Sequence, residues 1–292
     1  MADKRELPGH IAAALAGAGG ATDSAGRPWS GRDLSGPGNP LHNFNDDDGG
    51  ADQGYLKAVA ALADGTGGEP QVLQALASAR VFVPIVAQLG EEAAGANELT
   101  ADKQADMALV TLQAPDGRRA LPVFTSTSAL EAWHADARPV AVYAARAALS
   151  AVAESAQLLV VDPGSEVTFV VRRPGVWALA QQHEWVPSYA DPSLVDLVAD
   201  TVGREPDVLH TALAPGSGIA SRTASGRILA GGGPGPELRL VLAARDGLSQ
   251  AELQGLAERL QARLGASKDF AERVDSLEIS FVRDAAGGHA KS

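Results

Sequence analysis

The spacing of apolar residues changes several times along the chain, and each spacing predicts a different element. Between residues 51 and 62 they recur every three or four positions, which is typical of an amphipathic helix. A second helix is predicted to begin at Glu69-Pro70, because proline suits the first turn of a helix. It leads into the apolar run 81–86, which predicts a strand. Pro84 cannot donate to a ladder, so this strand is expected at a sheet edge or a bulge.

The stretch 120–143 predicts a strand, a tight corner, a short helix and a second strand. Pro122 favours a short strand, with the proline at its start or on an edge. Ser128, followed by Glu131 three residues later, fits the capping box that begins a helix. We expect residues 107–113 to form a central strand that pairs with the strand at 120 through a Pro-Asp-Gly turn.

The same patterns assign the remainder of the chain. The predicted helices are 144–155, 192–202 and a helix that Ser249 caps and Gly265 ends, and the predicted strands are 158–161, 167–172, 207–214, 238–243 and 277–282. Residues 174–190 are expected to connect two domains. Residues 215–236 are rich in glycine, serine and proline and predict a long loop or an irregular hairpin.

These elements predict an α+β protein with two mixed α/β domains, each a small mixed sheet covered by helices. The expected divisions are a flexible Gly/Ala/Asp-rich arm at 1–50, an N-terminal domain at 51–183, a C-terminal α+β domain at 184–284 and a disordered tail at 285–292. Four isolated apolar residues of the arm either pin it to the folded domain or form a recognition segment for a partner: Trp29, Leu34, Leu41 and Phe44.

Composition and charge narrow the functional classes. The net charge of −12 disfavours nucleic acid or an anionic membrane as a partner, because both reward clustered Lys and Arg. The chain contains no cysteine, which excludes disulfides, thiol nucleophiles and thiolate metal sites. Acidic residues near the N-terminus argue against a signal peptide, and no apolar stretch reaches the roughly 18–20 residues that a membrane span needs. We therefore expect a cytoplasmic protein.

The search for reaction chemistry yields no catalytic, cofactor-binding or metal-binding residues. None of the six histidines has a partner at zinc-site spacing. The acidic turn 46–49 does not fit a calcium loop, because Tyr55 stands where the loop needs a bidentate glutamate. The glycine runs 17–20 and 231–235 lack the Gly-Lys-Ser/Thr of a phosphate loop and are interpreted as flexible loops.

Two short segments resemble a known family. The motif Leu121-Pro-Val-Phe-Thr-Ser126 and the turn Asp162-Pro-Gly164 resemble the N-terminal domain of the SseB family. The resemblance extends over residues 51–284, and residues 237–282 are similar to a weaker companion domain of that family. It implies a fold but supplies no catalytic residues.

Three hypotheses on function follow. The favoured one is a non-catalytic binding or regulatory module of the SseB family, whose partner is a protein or a small metabolite. The second is an enzyme of an unrecognised class that uses Asp162, His134 and Arg138, which lie near the motif in the sequence. The third is a structural protein that associates with itself, for example as a homodimer.

The candidate partner-binding residues lie in two turns. Phe124, Thr125 and Ser126 form the corner ahead of the short helix, where backbone amides of a helix N-terminus can accept a carboxylate or a peptide backbone. Gly164 and Ser165 can form a backbone nest for an anion or a peptide carboxylate. The alternative is that all five residues only shape turns and core.

Overall fold

A computed structural model describes residues 44, 47–88, 106–114, 116–233 and 235–282. The helices are α1 (Gln53–Ala63), α2 (Glu69–Ser78), α3 (Thr127–Trp133), α4 (Ala144–Ala153), α5 (Arg173–Gln181), α6 (Pro192–Val202), α7 (Gln250–Ala266) and α8 (Lys268–Arg273). The strands are β1 (Arg80–Gln88), β2 (Asp106–Leu109), β3 (Leu112–Gln113), β4 (Arg119–Val123), β5 (Arg138–Tyr143), β6 (Leu158–Val161), β7 (Phe169–Val171), β8 (Val208–Pro215), β9 (Ala220–Arg222), β10 (Ile228–Ala230), β11 (Leu238–Ala244) and β12 (Leu277–Val282). The α+β class is confirmed.

Two small sheets build the first half of the fold. One has the order β2-β1-β5 and the other the order β3-β4-β6-β7. A bridge between Phe82 and Phe124 joins them, with both backbone amides donating across it. Strands β4 and β6 run parallel, because the chain between them passes through α3, β5 and α4 before it returns. Their carboxyl ends therefore meet at one edge.

Two prolines lie inside central strands, although Pro84 is predicted at an edge or a bulge and Pro122 at the start of a strand or on an edge. Pro84 is in β1, between β2 and β5, and Pro122 is in β4, between β3 and β6. The carbonyl oxygens of Arg119 and Val123 accept hydrogen bonds from the β6 side. Because backbone groups alternate along a strand, the nitrogen of Pro122 faces away from β6, at a level past the end of β3. The nitrogen of Pro84 lies on the side of β1 where the partner changes from Phe124 to β2. Neither proline therefore interrupts a ladder.

The prediction of one central strand at 107–113 is also wrong. The segment divides into β2, which pairs with β1, and β3, which pairs with β4. Each is an outer strand of a different sheet. The sequence pattern could not show this division, because a chain that changes partner sheet in mid-run keeps its apolar character.

The first hydrophobic core lies between these sheets and the helices α1, α2, α4 and α5. Its fully buried side chains include Val72, Leu76, Val81, Leu121, Val123 and Leu159. Helix α5 falls within the segment that was expected to be a connection, and its Val176 and Leu179 are part of this core. The connection is therefore shorter than predicted.

The second core belongs to the sheet β12-β11-β8, with β11 parallel to β12 and antiparallel to β8. Leu238, Leu240 and Leu242 alternate along β11 towards the helices, and all three are completely buried. Asp191 caps α6, and the predicted cap of α7 at Ser249 is confirmed, in a capping box with Glu252. Helix α8 was not predicted; it begins at a separate cap, Ser267.

The ends of the chain limit which predictions the structure describes. The arm is described at Phe44, whose ring lies 5.0 Å from that of Tyr143, and again from residue 47. The predictions for Trp29, Leu34, Leu41 and the tail at 285–292 fall outside the described residues.

Candidate functional site

The five predicted partner-binding residues lie at the carboxyl ends of β4 and β6. Residues 124–126 follow β4 and residues 162–165 follow β6, and the register pairs Val123 with Val161. In sheets with parallel strands, ligands bind preferentially beyond the carboxyl ends of the strands. We call residues 124–126 and 162–165 the β4–β6 corner.

Asp162 ties the two turns of the corner together. Its carboxylate accepts a hydrogen bond from the backbone N–H of Thr125 and another from the Thr125 hydroxyl, both at 2.7 Å. The residue is 8% exposed and has a φ of +50°, a left-handed conformation that aspartate tolerates better than most residues. Burial raises the pKa of the carboxyl group, and the two bonds from Thr125 oppose that rise.

Arg80 holds the corner from its other side. Its guanidinium donates to the carbonyl oxygen of Thr125 at 2.7 Å and binds both carboxylate oxygens of Asp47 at 2.6 and 2.7 Å. This hydrogen bonding holds the pKa of the Asp47 carboxyl below its usual value. The guanidinium carbon lies 4.1 Å above the centre of the Phe82 ring. The backbone of Thr125 is thus fixed through both its N–H and its carbonyl group.

The cap of helix α3 differs from the prediction. Ser126, not Ser128, is the N-cap, and its hydroxyl accepts a hydrogen bond from the N–H of Ala129 at 3.1 Å. The helix begins two residues earlier than the box with Glu131 requires. The N–H of Thr127 donates to the carbonyl oxygen of Gly49 at 3.0 Å. Two amides of the first turn are therefore already in internal hydrogen bonds.

The corner has a buried floor and an exposed rim. Phe124 is completely buried and Thr125 is 3% exposed, so their side chains shape the corner from inside. Ser126 and Ser165 are half-buried and Gly164 is exposed. The half-buried Trp133 adjoins this rim, with its ring 5.2 Å from that of Phe124. The surface offered to a partner is a small polar rim beside an indole.

The three residues of the enzyme hypothesis occupy different surroundings. Asp162 is buried beneath the corner, whereas His134 and Arg138 are exposed beyond the end of α3 and at the start of β5. No hydrogen bond or ion pair between described residues joins either of them to Asp162. Among the described residues, no group of three or more His, Asp or Glu side chains could hold a metal ion.

A second polar site, which the sequence analysis did not identify, lies where the two cores meet. Arg172 is 4% exposed, and one of its terminal nitrogens donates to the carbonyl oxygens of Gly218 at 2.9 Å, Gly233 at 2.5 Å and Gly235 at 3.2 Å. Its guanidinium also lies 3.6 Å from the carboxylate of Glu69. A cation from the end of β7 therefore holds the glycine-rich loop of the second half.

Gly232 is packed against the first core, although the sequence predicts a flexible loop at 231–235. The N–H of Gly232 donates to the Glu69 carboxylate at 2.6 Å, and the N–H of Val170 donates to the carbonyl oxygen of Gly232 at 3.2 Å. A Cβ atom on Gly232 would lie 2.7 Å from the ring of Phe169. Glycine is needed here because the backbone of the loop approaches an aromatic ring.

Two further arginines of the first half reach the second. Arg118 binds the carboxylate of Asp275 at 2.6 Å, and Arg173 donates to the carbonyl oxygens of Ala271 and Val274, both at 2.7 Å. We call Arg118, Arg172 and Arg173 the arginine joint. It joins the two cores through charge-assisted hydrogen bonds, which are stronger than neutral ones.

A buried carboxyl group accompanies the joint. Glu237 is 1% exposed, and its Oε2 atom accepts a hydrogen bond from the N–H of Asp275 at 2.9 Å. Its Oε1 atom is buried and has no hydrogen-bond partner among the residues that the structure describes. Burial raises the pKa of Glu237 above the usual value of a glutamate.

One sequence signal for the joint was available. Arg172 and Arg173 directly follow the apolar strand β7, where buried positions are expected, and the glycine run 231–235, interpreted as a flexible loop, lies far along the chain. A charged residue that continues a buried strand needs partners, and exposed glycine carbonyls can supply them. Spacing alone could not show that these two segments meet.

The first half of the molecule is thus an α+β domain built around two joined sheets and the β4–β6 corner. Residues 56–178 match the family model described as the SseB protein N-terminal domain, which confirms the resemblance of the two motifs. The match does not extend to residues 237–282, where a companion domain remains a prediction. No curated protein matches the chain. None of the helices within the described residues is long and apolar enough to cross a membrane.

Proposed function

We propose that this protein is a non-catalytic binding module that presents the β4–β6 corner to a protein partner. The observation that carries the proposal is the double hydrogen bond from Thr125 to Asp162, which fixes two turns of the chain as one surface. A surface that is rigid before binding loses little conformational entropy when a partner docks.

The use of the polar groups supports binding rather than reaction. Both carboxylate oxygens of Asp162 accept bonds from Thr125, and Arg80 is engaged by Thr125, Gly50 and Asp47. These groups hold the shape of the corner, and what faces outward is Ser126, Gly164 and Ser165. Small residues at a partly exposed rim suit recognition of a peptide segment.

Trp133 supplies the apolar part of such a surface. It is half-buried, and the Cβ position of Gly164 lies 3.8 Å from its indole ring. Tryptophan is enriched among the residues that dominate protein interfaces. We infer that a partner contacts the indole with an apolar side chain while its backbone meets the polar rim.

The experiment compares proteins captured from cell extract by the wild-type chain, by Ser165→Arg and by Ala251→Arg. Ser165→Arg blocks the corner, and Ala251→Arg adds the same charge on the exposed surface of α7, outside the corner. A protein that the wild type and Ala251→Arg retain and that Ser165→Arg loses supports the proposal. Equal capture by all three variants would place binding elsewhere, and no specific capture by the wild type would count against a binding module.

The identified partner is then titrated directly. We expect Ser165→Arg to weaken binding at least tenfold, a loss of about 1.4 kcal/mol. The double variant Thr125→Ala/Ser126→Ala removes one hydroxyl from the floor and one from the rim of the corner, with its folding checked by circular dichroism. If the folded double variant binds with unchanged affinity, the corner is only part of the architecture.

A further inference from the structure

Strand β8 is an outer strand of the sheet β12-β11-β8 and has an unusual composition for that position. From Val208 to Pro215 it contains no Lys, Arg, Asp or Glu. Residues 209–212 are all exposed, and Leu209 has 47% of its surface accessible. Outer strands normally carry charged residues or are covered, because their free backbone groups pair readily with another strand.

The ladder shows which backbone groups of β8 face outward. The N–H of Gly216 donates to the carbonyl oxygen of Glu237, its opposite residue, so Ala214 and Ala212 also direct their backbone groups towards β11. The N–H of Leu238 donates instead to Ser276, ahead of β12, in agreement with this alternation. Thr211 and Leu213 therefore direct their N–H and carbonyl groups away from the sheet.

No residue that the structure describes pairs with these outward groups. The short helical turn at Ser188–Ala190 packs near β8 but makes no backbone hydrogen bond with it. An irregularity of the register at Leu209 limits the regular outer edge to residues 210–215. This edge can accept one more antiparallel strand.

We propose that the strand added to this edge is β8 of a second copy of the chain, which would join two three-stranded sheets into one of six. Charge favours this occupant. The chain carries a net charge of −12, so most contacts between two copies bring carboxylates together. In an antiparallel pair of β8 strands, the neutralised Asp207–Arg245 pair of one copy lies beside Pro215 and Gly216 of the other. No like charges meet.

The sequence of β8 is also self-complementary about a two-fold axis. When Thr211 lies opposite Thr211 of the second copy, the outward groups of the two residues pair with each other. Ala212 then lies opposite His210 of the second copy, so the pairs around the axis stay within the regular edge, and a cross-strand Thr–Thr pair is favourable. A two-fold contact of this kind closes with two copies and does not extend into a fibre.

A proline variant tests the pairing without breaking the sheet. Thr211→Pro removes an outward N–H, which β11 does not use, so the domain is expected to fold. Light scattering over a range of concentrations should show the wild-type mass rising from 29.9 kDa towards twice that value. Thr211→Pro should weaken this association at least tenfold. The control is Ala251→Lys rather than a proline variant, because Ala251 lies in helix α7.

Thr211→Lys provides a second test if the proline variant does not fold. It places two positive charges opposite each other at the axis, and it should weaken association as strongly, while Ala251→Lys leaves it unchanged. A wild-type chain that stays at 29.9 kDa at every concentration overturns the proposal, and so does an association that both Thr211 variants leave unchanged.

Because the chain lacks cysteine, a single introduced thiol reports the geometry directly. Opposite residues of an antiparallel pair have Cα atoms about 4.5–5.5 Å apart, within the range that a disulfide spans. Under mild oxidation, Thr211→Cys should form a covalent dimer much faster than Ala251→Cys. Equal rates for the two variants would show that β8 strands do not meet. This result does not depend on whether the β4–β6 corner binds a partner.

Discussion

Asp162 is the residue on which the β4–β6 corner depends most. It accepts two hydrogen bonds from Thr125 in a buried position and holds a left-handed backbone conformation. Asp162→Ala leaves two buried donors without partners and should reduce the free energy of unfolding by about 2–4 kcal/mol. Urea denaturation measures the change. Asp162→Asn should lose less, because asparagine tolerates the same conformation and keeps one acceptor.

The exposed Asp136 provides the matched control for this prediction. Asp136→Ala should alter stability by no more than about 0.5 kcal/mol, as is usual for surface positions. If Asp162→Ala proves equally mild, the hydrogen bonds to Thr125 do not hold the corner.

Glu237 makes a residue-scale prediction about pH. Its pKa is raised above the reference value of 4.5, chiefly by burial. A raised pKa in the folded state means that the folded protein holds the proton more tightly, so this contribution to stability is present below pH 4.5 and is lost as the pH rises through the folded pKa. Glutamine does not ionise, so the stability of Glu237→Gln does not fall with pH for this reason.

The measurement is the free energy of unfolding of the wild type and of Glu237→Gln between acidic and neutral pH. The stability of the glutamine variant relative to the wild type should increase with pH above the reference value of 4.5. The comparison isolates Glu237, because carboxyls with lowered pKa, such as Glu205 beside Arg259, contribute equally to both proteins. A pH-independent difference would show that Glu237 is not perturbed.

At the scale of elements, the structure of helix α3 shows which of two nearby serines is its N-cap, which the sequence alone could not decide. The hydroxyl of Ser126 accepts the N–H of Ala129, while Ser128 lies exposed inside the first turn. Ser126→Ala should cost about 0.5–2 kcal/mol of unfolding free energy, and Ser128→Ala much less. Thermal or urea unfolding of the two variants measures the difference. A larger loss of stability for Ser128→Ala would show that Ser128 is the N-cap.

The sequence predicted most elements because their signals are local. The cap of α7, the proline at the start of α6 and the alternation along β11 act within a few residues. It misplaced Pro84 and Pro122 because whether a missing N–H matters depends on which strand lies alongside, and that is set by residues far along the chain. The arginine joint stayed hidden for the same reason, since Arg172 meets carbonyls more than forty positions away.

At the scale of the whole molecule, the glycine run should determine whether the two cores unfold together. Gly232→Ala places a methyl group 2.7 Å from the Phe169 ring and should push the loop away from Arg172. Gly226→Ala is the matched control: Gly226 also has a positive φ, and the position of its Cβ is open. Both variants carry backbone strain, but only Gly232→Ala adds the clash.

We expect Gly226→Ala to lower stability slightly and to keep a single unfolding transition. Gly232→Ala should lower it further and separate the transition into two, as followed by tryptophan fluorescence together with far-UV circular dichroism. One shared transition at equal stability for both variants would show that the loop does not couple the cores.

The position of Arg172 bears on how this architecture can evolve by recombination. The SseB match ends at residue 178, but Arg172 is bonded to carbonyls of residues 218, 233 and 235, and its neighbour Arg173 to those of 271 and 274. A gene segment that encodes only the matched region would carry the buried guanidinium into a new setting with Glu69 but without these carbonyl acceptors. Exchange of that segment between proteins would therefore be tolerated only when the recipient supplies an equivalent loop, or when the arginine is replaced at the same time.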